Sequence, residues 1–463
     1  LTQMGRKTPI HTRPRTSQLS GKRPLTPSPD RLGFYDDGTT GAVQRNRPAS
    51  KPLHVPPQYY PYPMTIRPRK PRPYWLIGAT TFSRIGTLAY TIVMTWAVSK
   101  AGGNNSVGWV NAAAGFTIVL VGISSTSWLD KFDKRTLLLL LDATAAVVCL
   151  AAATILRLVP MSSVVFTGVV VAVVTSAVAS LYSPASRALI PSMVPAESLE
   201  RYNSVYTGLS ETSRAAGPAL GALLLTVGGS EAFPLSLIIN SISFIISFLL
   251  TLPLPPDPPH QTNKHEQQEH AFFQSVRTIT KHAILRGEIL GALSINFLLP
   301  SNTFILLNRI AETGAKASMF GLANFFEAAG AVTAALTAAI IAVRLRRIRA
   351  SQLMAPIALA LLLCLTAGIW ATIISLTIVT ALVTVYNIIL FSQLQREISR
   401  EKMGRVIAVV TTSSATVMPL GNLVFSKLSI TIPTHMLIWA TSITLLVAGL
   451  AITIGNRKRE QSV

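Results

Sequence analysis

Charge is scarce in this chain. Of its 463 residues only 13% are Asp, Glu, Lys or Arg, about half the share that a soluble protein carries. Cysteine is scarcer. The two present, Cys149 and Cys364, fall inside apolar runs, which excludes a disulfide framework and reads them as small buried hydrophobes. The seven histidines lie outside the apolar segments or at their edges. A histidine metal site within a membrane is therefore not expected, and neither a metal nor a cofactor is predicted. A polytopic enzyme would cluster His, Asp or Glu at a membrane face or carry a phosphate-binding glycine loop. Neither pattern is found, and "GGNNSVG" (102–108) reads as a short turn because no strand precedes it. A secretory signal is not predicted in the first 73 residues either.

What the sequence has is apolar length. Hydrophobic residues make up 49% of it, and runs such as 76–98, 107–128, 136–156, 163–182, 233–252 and 434–454 approach or exceed what a bilayer core of about 30 Å requires. Twelve spans are predicted, near 75–99, 107–128, 136–158, 162–183, 203–226, 233–252, 287–308, 318–343, 352–371, 373–392, 406–427 and 435–455. The expected class is an all-α membrane protein.

The formal charge of +22 suggests nucleic acid, but its distribution does not. Residues 1–73 hold 14 Lys and Arg against three acids. This Pro-, Arg-, Ser- and Thr-rich tail has no hydrophobic period and is read as disordered. Attraction to anionic lipid headgroups is the sharper alternative. Met64 would open a normal short basic leader for the first span. In the connections between spans, 17 Lys and Arg fall on one side and five on the other. The positive side is cytoplasmic, so both termini are predicted there. The polar, Pro-rich loop 253–285 divides the spans six and six. The expected units are a tail (1–73), a first bundle (74–252), the linker (253–285), a second bundle (286–456) and a short C-terminal tail (457–463). "GWVN" (108–111) is echoed by "GLAN" (321–324), and "GPALG" (217–221) by "MPLGN" (418–422), which suggests a six-helix internal repeat.

With these residues in view, the chain resembles the major facilitator superfamily. Thr126, Asp130, Lys131, Asp133, Lys134 and Arg135 follow its motif between the second and third helices, with Thr126 in the glycine position and Lys131 in place of the first arginine. "GLSETSRAAGPALGA" (208–222) is similar to the fifth-helix motif of drug–proton antiporters through Gly208, Gly217, Pro218 and Gly221, with Arg214 inside it and Ala222 where a second glycine is usual. "SRALIPSMVPAESLERYNS" (186–204) and "QLQREISREKMGRV" (393–406) resemble loops of the bacterial branch that holds the enterobactin exporter and macrolide-efflux proteins. The resemblance implies two pseudo-symmetric six-helix bundles, a bacterial cytoplasmic membrane, a monomer, and a small-molecule substrate in a central cavity for whose lining Tyr90, Trp96, Tyr386 and Asn387 are candidates; such aromatics more often pack or sit at the headgroup belt. It also implies that Asp130 meets the start of the eleventh helix near Gly404 and Arg405.

Ionisable residues inside spans are functional candidates because their desolvation is costly. Asp142, about 10 Å into the third helix, is read as part of a cytoplasmic clamp with Arg135 or a neighbouring basic residue; proton carriage is the alternative. Glu211 and Arg214, three apart, can pair. Arg84 and Glu327 each sit about nine residues into their spans, roughly 13 Å deep. Glu327 has no basic residue within reach in its own span. It is a candidate for proton coupling, with Glu211 and Arg84 as lesser ones, or else a fixed partner of Arg84. Gly217-Pro218 permits close approach and bending. The expected function is export of a drug-, macrolide- or siderophore-like amphipathic molecule by proton antiport. Uptake, lipid flipping, a membrane enzyme or a receptor are the alternatives.

Overall fold

Leu, Val, Ile and Ala dominate the long runs, so each run satisfies its backbone internally as a helix, the form open to a chain in hydrocarbon. The computed structural model describes residues 73–129, 132–158, 163–257, 283–345, 348–366, 368–398 and 400–460. The tail up to residue 72, Asp130, Lys131, the linker from 258 to 282 and the last three residues lie outside the described residues, as does the side chain of Arg405. Every long regular element described is a helix. The first bundle is α1 (Pro73–Leu129), α2 (Lys134–Leu158), α3 (Val164–Met193), α4 (Leu199–Val227) and α5 (Ala232–Thr251). The second is α6 (Ala283–Leu298), α7 (Ser301–Thr313), α8 (Ser318–Ile340), α9 (Met354–Leu362), α10 (Ile369–Glu397), α11 (Arg400–Thr431) and α12 (Thr434–Glu460).

Nine helices among the described residues are long and apolar enough to cross a bilayer. The first would be about 80 Å long if straight, far beyond one crossing. It turns at Gly103, whose φ of 70° and ψ of −177° are open to a residue without Cβ. Both arms return to α3: a Cβ on Gly168 would lie 2.9 Å from Val98 on one arm and 3.9 Å from Val110 on the other. α6 and α7 form one crossing broken at Leu299-Pro300. α4 has 29 residues but carries Glu200, Arg201, Glu211 and Arg214, and the apolar stretch Ala350–Leu365 is short. With these two and both arms of α1, the layout is consistent with twelve crossings.

Some boundaries differ from the sequence reading. α3 runs to Met193 with Pro184 and Pro191 inside it, ten residues past the predicted end. The ninth crossing stops earlier than predicted, because Gly368 adopts φ 115° and α10 begins at Ile369. Trp370 therefore opens the tenth crossing.

Each bundle buries its own apolar seam. Leu138, Cys149, Val171 and Leu237 are fully buried in the first, and Phe304, Leu376, Tyr386 and Leu394 in the second. Large apolar side chains such as Phe166, Leu158 and Ile340 face outward at 73%, 79% and 84% exposure. In water such a surface would aggregate; against lipid it costs nothing.

Candidate functional site

Among the described residues the two bundles meet along a seam near one end. The meeting end carries the Gly103 turn and Lys316; the other, the basic end, carries Asp133 and Ser198. Asn104 donates to Asn308 Oδ1 at 2.7 Å and to Ser429 Oγ at 3.1 Å, while Asn308 donates to the Ser429 carbonyl. Asn111 donates to Asn422 at 3.4 Å. Trp96 packs on Phe320 with ring centroids 6.0 Å apart. Backbones approach closely where side chains are small: a Cβ on Gly321 would fall 2.4 Å from the Ala222 Cα, and one on Gly115 would fall 2.4 Å from Pro419. The bonds of Asn104 and Asn111 thus cross between bundles at this seam. Toward the basic end, Leu120, Ile123 and Leu209 of the first bundle are exposed. The seam is thus a neutral amide knot.

On the basic side of the seam the first bundle contains a cleft of about 240 Å³ between α1, α3, α4 and α5. Eleven of its sixteen lining side chains carry a hydroxyl, one is a cation, Arg84, and none is an acid. Arg84 projects from the first arm of α1 and donates to Ser210 Oγ on α4 at 2.6 Å. No ion pair reaches it among the described residues; those present join Lys134 to Asp257, Arg157 to Glu231, Arg214 to Glu211 and Arg309 to Glu312. Tyr182, also on the cleft wall, lies 3.1 Å from Ser247 Oγ. Ser247 donates to Asp142 Oδ2 at 2.7 Å, which leaves Tyr182 as the donor to Ser247. The other carboxylate oxygen of Asp142 is buried without a partner. A hydroxyl chain therefore runs from the cleft to a buried carboxylate.

The expected clamp is built differently. Asp142 is fully buried and meets a serine where a basic residue was expected, while Arg135 donates to the Leu252 carbonyl. Lys134 pairs with Asp257 at 3.1 Å. Asp133 caps α2 through the Thr136 N–H and hydroxyl at 2.7 and 2.6 Å and accepts the Asp257 N–H at 2.6 Å. The motif residues thus tie the start of α2 to the end of the first bundle. Gly404 and Arg405 fall in the first turns of α11.

Glu327, half-buried on α8, accepts a hydrogen bond from Thr380 Oγ1 of α10 at 2.9 Å. It makes no ion pair with Arg84, which is engaged on the other bundle. Glu211 and Arg214 pair at 3.6 Å with about half of each side chain exposed. Gly217 and Gly221 face α1, where added Cβ atoms would fall 2.4 Å from Leu88 and 3.0 Å from Ile92. Pro218 is buried beside them, and Gly208 meets nothing within 4 Å.

Of the four side chains placed in the cavity by resemblance, three are packed elsewhere. Tyr90 is buried, stacked on Phe233 at 6.4 Å and bonded to the Met94 sulfur. Trp96 lies in the seam beneath Lys100, whose Nζ is 4.9 Å from the ring. Tyr386 is buried and donates to the Glu288 carbonyl at 2.9 Å. Asn387 alone is exposed. Sequence reasoning missed Glu288, whose carboxylate accepts from the Ser351 N–H and hydroxyl, each at 2.7 Å, and from Asn456 at 3.1 Å. The predicted span began at 287 and placed Glu288 at its edge, whereas the helix starts at Ala283 and carries Glu288 inward. The asparagines of the seam were missed because only charges were weighed.

The Major Facilitator Superfamily profile matches residues 76–422. No curated protein matches the sequence. Among solved structures, a D-xylose-proton symporter superposes with a TM-score of 0.65 at 12% identity, covering 82% of this chain and 96% of its own. The nucleoside transporter NupG gives 0.62 at 14%, covering 83% and 98%. A bacterial homologue of the iron transporter ferroportin in an inward-facing state gives 0.61 at 14%, also covering 83% and 98%. At these identities the likeness is one of fold.

Proposed function

This chain belongs to the Major Facilitator Superfamily, a transporter and not an enzyme, and we propose that it exports small amphipathic molecules in exchange for protons. The proposal places it in the enterobactin-exporter and macrolide-efflux branch, as a monomer in a bacterial cytoplasmic membrane with both termini inside. On that orientation the basic end faces the cytoplasm, and the arrangement is the cytoplasm-open stage of alternating access. A molecule enters the cleft from inside. Breaking the amide knot and closing the basic end then exposes it outward.

The observation that carries proton exchange is Glu327. It is a carboxylate midway along a crossing whose hydrogen-bond partner is the neutral Thr380 hydroxyl, so its charge is not locked by a cation. A second reading is favoured by the Tyr182–Ser247–Asp142 chain, which leads a proton from the cleft itself to Asp142. Retention of dyes, macrolides and siderophores in efflux-deficient cells, with and without an uncoupler, tests export. In proteoliposomes carrying a responding compound, Glu327→Gln is expected to abolish gradient-driven exchange while leaving gradient-free exchange intact. If Glu327→Gln stays coupled and Asp142→Asn does not, the proton site is Asp142. Retention that rises on expression would instead identify uptake.

A further inference from the structure

We propose that the cleft around Arg84 is a binding site for the anionic head, carboxylate or phosphate, of an amphipathic molecule. The inference rests on the transporter reading and names the substrate class for that cleft.

Arg84 is a cation without a direct ion-pair partner among the described residues. Arg84 stands eleven residues into α1, and its observed partner is a neutral serine. Arg84 is exposed, and a guanidinium within a crossing that makes no direct ion pair leaves its charge to be met by water or a ligand. Its planar fork has five N–H donors, and one bond to Ser210 leaves most of them toward the cleft. No carboxylate lines the cleft to neutralise it.

The hydroxyls sharpen this. A hydroxyl whose proton is already committed offers a ligand only lone pairs and would repel an anion. Seven of the eleven are of that kind, Thr80 donating to the Ile77 carbonyl and Ser213 to that of Leu209, for example. Four are not. The side-chain hydroxyls of Thr81, Ser183 and Tyr206 make no hydrogen bond among the described residues, and Ser210 accepts from Arg84 with its own proton uncommitted. The free donors of the cleft are thus one guanidinium and four hydroxyls, without a free acid among them. An adjoining groove that shares Tyr206 carries Arg187, so the entrance is positive too. Leu88, Val178 and Phe244 supply an apolar wall for a tail. Such a donor set favours an acceptor-rich, negatively charged group.

The test uses the full chain in nanodiscs without a proton gradient. The probes are dansyl-aminoundecanoic acid and its carboxamide, equal in size and differing in charge. The acid is expected to bind about tenfold tighter or more, the scale of a hydrogen bond to a charged group. Arg84→Gln should remove that difference, weakening the acid far more than the carboxamide. Equal binding of acid and amide to the wild type, or a difference that survives Arg84→Gln at unchanged melting temperature, overturns the proposal. If Arg84→Gln does not fold, Ser210→Ala and Tyr206→Phe must weaken the acid but not the amide; equal weakening of both overturns it. Comparing zwitterionic discs with discs containing phosphatidylglycerol separates the two sources of such a head. Displacement of the acid by the anionic lipid assigns the site to a lipid headgroup, and no displacement assigns it to a dissolved anion. Charge-selective binding without uncoupler-sensitive efflux would sink the export reading alone. Proton-driven efflux with a charge-blind cleft would sink this inference alone.

Discussion

The two bundles tie the start of their third helix to the end of their sixth with opposite chemistry. In the first bundle the brace is ionic: Lys134 at the head of α2 pairs with Asp257 just beyond α5, and Asp133 holds the Asp257 N–H. In the second it is a carboxylate among neutral donors: Glu288 takes two hydrogen bonds from Ser351, before α9, and one from Asn456 near the end of α12. Lys134 and Asp257 keep 9% and 10% of their side chains exposed, whereas Glu288 is 1% exposed. An ion pair suits a place where water still relieves part of the desolvation cost. A deeper carboxylate needs its lone pairs filled by donors fixed in place, one of them backbone.

The largest effect should follow from the deeper brace. Glu288→Ala leaves the Ser351 N–H and the Asn456 amide buried without an acceptor, a loss of about 3 kcal/mol. Thermal unfolding in mild detergent should show it. Adding Asn456→Leu should recover little, since the backbone N–H of Ser351 cannot be removed by changing side chains. Full recovery in the double variant would mean that the brace is a side-chain pair like the other one.

Lys134→Ala should cost less, about 2 kcal/mol, because Asp257 keeps some contact with water. Here a double change should rescue: Lys134→Met with Asp257→Leu removes both charges and is expected to return most of the stability. If the apolar pair proved worse than Lys134→Ala alone, the Asp133 carboxylate would be the member that needs Lys134.

This contrast explains what was legible in the sequence. The crossings were readable because hydrocarbon admits few alternatives to an apolar helix. The motif from Asp133 to Arg135 was readable because its charges are consecutive. Partners were not. Asp142 lies about two helical turns from Arg135, yet finds Ser247, 105 residues away, and no spacing rule announces a serine. Tyr90 and Tyr386 were placed in a cavity by analogy of helix number, but rotation about the helix axis decides whether a side chain faces cavity or core, and that depends on packing. The Arg84 cleft is made of hydroxyls common on every helix, so only their convergence marks it.

The smallest effect belongs to Glu211 and Arg214, a pair at 3.6 Å with each side chain about half exposed. Exposed pairs three apart on a helix contribute about 0.3 kcal/mol, so Glu211→Ala should leave the melting temperature nearly unchanged. Its charge nevertheless reaches the cleft, since Glu211 and Arg214 are both electrostatic neighbours of Arg84. Removing the acid frees Arg214 and makes the surroundings of Arg84 more positive. An anionic probe should then bind a few-fold tighter, with the gain shrinking as salt is added. A stability loss as large as that of Lys134→Ala would place this pair with the braces. Unchanged stability with tighter anion binding would place it with the cleft, where its carboxylate offsets the positive surroundings until a ligand supplies the missing charge.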